Sequence, residues 1–129
     1  MKMASFKNIL HIDDDTCDHE LFCEALGQIS DALAYIAIPD AKEALDKLVA
    51  NKLNPDVIFL DLNMPKLNGQ DFLLEMKKYT HLSTIPVYIF STSAHTPTIA
   101  KVKQLGAKDY ITKPDTYKGL VAILSSILL

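Results

Sequence analysis

At 129 residues and 49% apolar content, the chain has enough material for one packed domain and is too hydrophobic to be disordered. Its formal charge is −3, and all 13 of its basic residues are lysines. The lack of arginine argues against bidentate reading of DNA bases, no basic stripe marks a nucleic-acid face, and no internal arginine finger is available.

Cys17 and Cys23 have neither CxxC nor zinc spacing, and about 600° of helical rotation would separate them. Both are read as free thiols in a reducing compartment. The amino terminus lacks a signal-peptide layout, and the longest apolar run, residues 32–38, is far below the ~20 residues a membrane helix needs. A soluble cytoplasmic domain with no membrane contact is expected.

In chain order, residues 8–12 form a short apolar strand that ends in Asp13, Asp14 and Asp15. Residues 16–29 show helical spacing at Leu21, Ala25, Leu26 and Ile29, with Asp15 or Thr16 as cap. A second strand covers 33–38 and stops at Pro39. Asp40 and Glu43 then open a helix in capping-box fashion, with Ala44, Leu45, Leu48 and Val49 inward.

The third strand is the apolar run Val57, Ile58, Phe59 and Leu60. It delivers one acid, Asp61, just before turn signals at Pro65 and Asn68-Gly69. The third helix follows over 70–79, with Phe72, Leu73 and Met76 inward. Residues 86–90 form a fourth strand, ending in Ser91, Thr92 and Ser93. Thr96-Pro97 starts the fourth helix and Gly106 ends it. The fifth strand, 107–112, is more polar and belongs at an edge. It stops at Lys113-Pro114, and a last helix covers 116–128.

Five strands alternating with five helices make an α/β protein with a parallel sheet covered on both faces. Right-handed crossovers leave few arrangements. The expected fold is flavodoxin-like and doubly wound, a five-stranded parallel sheet of order 2-1-3-4-5. Ligands of such sheets bind beyond the carboxyl ends of the strands. There Asp13, Asp14 and Asp61 converge with Ser91 and Lys113.

Three close carboxylates repel unless a cation sits among them. A hard divalent cation suits them, and Mg²⁺ prefers few carboxylates, several waters and a phosphate. Lys113 offers a point charge for a phosphate oxygen, and Ser91 a hydroxyl donor. The set fits an aspartate nucleophile accepting a phosphoryl group, a reaction of positioning and charge neutralisation. Asp15 is read as a helix cap alone.

The ordered motifs resemble the receiver domain of two-component response regulators, of the single-domain chemotaxis type. They are Asp13-Asp14, Asp61 with Met64-Pro65 and Gly69, Ser91, Tyr110 and Lys113-Pro114. The resemblance covers roughly 7–128 and makes residues 1–129 a single receiver. It implies that Asp61 is the phosphoacceptor. It also implies that Asp13, Asp14, Asp61 and the backbone carbonyl of Asn63 hold Mg²⁺. Ser91 and Lys113 would contact the phosphoryl group, across a Lys113–Pro114 peptide that is a cis candidate. Ser91 and Tyr110 would be the switch pair, reshaping the face made by the fourth helix, fifth strand and fifth helix.

The implied phosphoryl donor is a sensor histidine kinase or phosphotransfer protein. The output is an unidentified effector, and a homodimer through the switch face is left open. No enzyme is expected beyond self-phosphorylation from small donors and autodephosphorylation. Four residues depart from the commonest pattern or tune it. Asp115 stands where an apolar residue is usual, Ser91 where threonine is commoner, and Asn63 and Ser93 occupy positions that tune autodephosphorylation.

Three other readings compete. A non-phosphorylated binding module would not need the intact acidic pair, Asp61, Ser91 and Lys113. An aspartyl-phosphate phosphatase needs a second acid two residues past the nucleophile, where this chain has Asn63. A flavin site would need a glycine loop after the first strand, where three acids stand. His11 is read as a core or strand-end histidine, and His19, His81 and His95 as scattered residues without metal spacing. Phe22 falls off the strict inward stripe of the first helix, where partial exposure for kinase docking is the weaker reading and ordinary packing the stronger. The last helix is apolar over a broad arc.

Overall fold

Strand and helix stretches alternate along the whole chain, and each becomes the element its pattern announces. The computed structural model describes residues 6–62, 64, 67–92 and 96–129. In order the elements are β1 (Asn8–Ile12), α1 (Thr16–Ile29), β2 (Ala34–Ile38), α2 (Ala41–Val49) and β3 (Val57–Leu60). They continue with α3 (Gly69–Met76), β4 (Val87–Ser91), α4 (Thr96–Gln104), β5 (Asp109–Thr112) and α5 (Tyr117–Leu128). The strands pair in parallel in the order β2-β1-β3-β4-β5, as expected.

Strand alternation divides the core into two layers. Leu10, Ile12, Ile58, Leu60 and Ile89 face α2, α3 and Val102 of α4. Ile9, Val57, Phe59, Phe90 and Ile111 face α1 and α5, where Phe22, Ala25, Leu26, Leu120, Leu124 and Leu128 pack. The central strand β3 is buried at all four residues, as a strand covered on both faces must be.

Caps start the helices where their side chains predict. The Asp15 carboxylate accepts from the N–H groups of Cys17 and Asp18, and Asp40 accepts from Lys42 N–H. Asn68 caps α3 and Thr116 caps α5. Gly106 has φ +110°, a left-handed conformation that suits glycine, and lets Ala107 N–H return to Val102 O after α4.

Three expectations need correction. Leu21, read on the inward stripe of α1, is 44% exposed, whereas Phe22 is wholly buried. Both share Ala25 as a neighbour one turn on, but only Phe22 completes the stripe with Ala25, Leu26 and Ile29. Its ring stacks on His11 at 4.2 Å and meets Phe59 and Phe90 edge-on. Secondly, no peptide bond among the described residues is cis, so Lys113–Pro114 is trans. An X–Pro bond prefers trans by about 0.5–1 kcal/mol, and here Lys113 N–H bonds Ser91 O at 2.8 Å with the trans peptide in place. Thirdly, β5 begins at Asp109 rather than 107, because Ala107 is occupied in closing α4.

The apolar arc of α5 is largely used within the chain: Val121, Ile123 and Ile127 are partly buried against the α1 layer. Among the described residues, no helix is long and apolar enough to cross a membrane.

Candidate functional site

The strand ladders continue one residue beyond three strands. Asp13 N–H donates to Ile38 O, Asp61 N–H to Ile12 O, and Lys113 N–H to Ser91 O, at 3.2, 3.0 and 2.8 Å. Each of these side chains therefore projects from backbone that is still fastened to the neighbouring strand. The alternation that buries Ile9 and Phe59 places Asp13 and Asp61 on the same side, beside one another.

Oxygens of Asp13, Asp14 and Asp61 lie within 4.8 Å of one another. Asp13 is wholly buried, Asp61 is 8% exposed and Asp14 faces solvent. This is the one such grouping of metal-type ligands among the described residues. Lys113 Nζ reaches into it, 2.7 Å from Asp13 Oδ2 and 3.6 Å from Asp61 Oδ2. Its third carboxylate is Asp18 Oδ2, at 2.6 Å. The ammonium also stands 5.8 Å from the Phe90 ring centroid, within cation–π range.

Burial alone would raise the Asp13 carboxyl. The His11 ring, the Lys113 ammonium and the Asp15 N–H (2.9 Å from Oδ1) outweigh burial and hold it well below the usual carboxylate range. Burial would lower Lys113, but its bonds to Asp13 and Asp18 and the pull of Asp61 raise it above the ordinary lysine value. Both groups are therefore ionised at neutral pH. Behind them, His11 Nδ1 lies 2.8 Å from the Tyr35 hydroxyl, which donates to His19 O at 3.2 Å. His11 Nε2 is 3.6 Å from Asp13 Oδ2, outside hydrogen-bond reach, and burial lowers the pKa of His11.

Ser91 is wholly buried at the end of β4. Tyr110 on β5 is partly buried against the layer that contains α4. Asn63, Pro65, Ser93 and His95 lie outside the described residues, so the expected Asn63 carbonyl ligand has no structural account.

The donor set fits a hard divalent cation. Three carboxylates supply oxygen ligands, and the exposed side at Asp14 leaves room for the waters that Mg²⁺ retains. An aspartate at the end of a buried strand, two further acids and an ammonium make an arrangement chemically able to accept a phosphoryl group.

Residues 9–125 match the response regulator receiver domain. The chain belongs to that family. Among solved structures this receiver is similar to the phosphorylated cyanobacterial phytochrome response regulator RcpA. The two share 34% identity at a TM-score of 0.86, over 95% of this chain and 91% of RcpA. It is similar also to the Mn²⁺-bound form of response regulator Rcp1, at 30% identity and a TM-score of 0.84, over 94% of this chain and 91% of Rcp1. Among curated proteins, protein-glutamate methylesterase/protein-glutamine glutaminase 1 of Myxococcus xanthus is 32% identical over 123 residues. That match takes in 94% of this chain and 34% of the relative, so the receiver spans about a third of that protein's length.

Two features of this receiver escape a reading in chain order. Asp18 is one helical turn past Asp14, and as an acid in a first turn it signals only helix-dipole compensation. The His11–Tyr35 contact joins two strands whose polar side chains carry no motif.

Proposed function

We propose that Asp61 accepts a phosphoryl group from a sensor histidine kinase or phosphotransfer protein, with Mg²⁺, in two-component signalling. The carrying observation is the Lys113 ammonium set among Asp13, Asp18 and Asp61 at the carboxyl ends of the central strands. An Asp61 carboxylate oxygen attacks phosphorus, the bond from phosphorus to the donor breaks, and an acyl phosphate forms on Asp61. Mg²⁺, held by Asp13, Asp14, Asp61 and the Asn63 carbonyl, would supply charge neutralisation. Lys113 and Ser91 take the phosphoryl oxygens.

The consequence is a change of shape. Whichever state lets Ser91 bond the phosphoryl group gains population by that differential contact. Tyr110, one strand away, carries the change to the α4–β5–α5 face, where an effector or a second copy would dock. We read the chain as a cytoplasmic switch domain with no enzymatic activity beyond self-phosphorylation from small donors and autodephosphorylation, in keeping with its likeness to the response regulators RcpA and Rcp1.

Phos-tag electrophoresis after incubation with acetyl phosphate and Mg²⁺ tests this reading. Wild type should shift and Asp61→Asn should not. No shift in wild type, or an equal shift in the variant, refutes it.

A further inference from the structure

Lys113 is pulled toward α1. Its nitrogen is 2.6 Å from Asp18 Oδ2 and 2.7 Å from Asp13 Oδ2, but 3.6 Å from the phosphoacceptor's Oδ2. An ammonium has three donors, and the two short bonds occupy two of them. The two partners differ in what release would cost. The Asp13 side chain is wholly enclosed, and without Lys113 its charge would be stranded. The Asp18 side chain is 27% exposed at the rim, so water can replace the ammonium there. Asp18 is the carboxylate able to yield.

We propose that Asp18 is the resting counter-ion of Lys113, a positioning residue displaced when a phosphoryl oxygen on Asp61 claims the ammonium. This rests on Asp61 being the phosphoacceptor. Asp18 thereby sets how strongly a phosphoryl group must bind to capture Lys113. Its release also ties the occupied state of the site to the first turn of α1. That turn borders a hollow of about 140 Å³ lined by Asp18, Leu21, Lys113 and Tyr117 among others.

Beryllofluoride with Mg²⁺, a non-covalent phosphoryl mimic, tests the proposal by ¹⁹F NMR titration. Asp18→Asn should bind it on the order of tenfold more tightly than wild type, the scale of one unit charge removed in partly screened surroundings. Asp18→Glu keeps the charge and should return to within about twofold of wild type. Asp46→Asn, the same charge change at an exposed α2 position, should leave affinity unaltered. In a Lys113→Met background the gain from Asp18→Asn should vanish, because no ammonium remains to be freed. Unchanged or weaker binding by Asp18→Asn, or a gain that persists without Lys113, overturns the counter-ion role and leaves the Asp61 reading standing. Wild type that takes up neither beryllofluoride nor a phosphoryl group overturns the Asp61 reading itself.

Discussion

Replacing Lys113 with methionine keeps most of the side-chain volume and removes the only cation seen among Asp13, Asp18 and Asp61 in the described residues. The Lys113 side chain is 12% exposed and that of Asp13 is enclosed, so this is the breaking of a buried pair rather than of a surface one. Removing one partner of such a pair costs about 3–5 kcal/mol, mostly because the other charge is left uncompensated. Asp13 keeps its bond from Asp15 N–H, and Asp18 can hydrate, so the lower end is expected, ~3 kcal/mol. For a chain of 129 residues that corresponds to roughly a 10 °C drop in Tm, or a fall of about 1.5 M in urea midpoint.

Two conditions distinguish this cause from a packing defect. Added Mg²⁺ should restore much of the lost stability, since a divalent cation among the same carboxylates replaces the ammonium. Acid should also narrow the gap. In wild type the Asp13 carboxyl is held below its unfolded value near 3.8, so its contribution is present above that pH and fades as pH falls through the folded value. Without Lys113, burial is less opposed and the Asp13 carboxyl rises toward its unfolded value, so the variant loses less stability than wild type as pH falls through that range and the gap narrows. Urea unfolding followed by circular dichroism, in EDTA and in Mg²⁺ at pH 7 and at about pH 3, reads all of these effects. A variant as stable as wild type in EDTA, or one equally weakened with Mg²⁺ and at both pH values, refutes the reasoning.

Phe22→Ala should cost about 3–5 kcal/mol in urea unfolding, because the ring is enclosed among His11, Phe59 and Phe90, while Leu21→Ala should stay within about 1 kcal/mol. Gly69→Ala should destabilise by about 1–3 kcal/mol and slow acetyl-phosphate labelling of Asp61. A Cβ there would collide with Leu62 Cδ2 and stand 3.1 Å from Leu62 Cα, and that backbone adjoins Asp61.

Much of the fold is legible because its signals are local. Pro39 and Gly106 punctuate the chain where elements stop, and the all-apolar run at β3 announces a strand covered on both faces. Once the strand order follows, the site is legible too: parallel register places the ends of β1 and β3 side by side, and whatever residues stand there must meet. The side-by-side placement of Asp13 and Asp61 is legible for that reason. Helix rotation is a different kind of information. Leu21 and Phe22 are adjacent, and periodicity alone cannot choose between stripes that share Ala25. The choice is made by His11, which offers an aromatic partner from another element.

The Asp18–Lys113 pair has the same origin, joining residues 95 apart once α1 has turned its Phe22 face to the sheet. Burying Phe22 sets the rotation of α1, and that rotation aims Asp18 at the strand ends four residues earlier on the same helix. The packing of an aromatic ring and the charge balance around Asp61 are thus one structural decision. A change at Phe22 that turned α1 would be expected to loosen Lys113 from Asp18 without touching either residue.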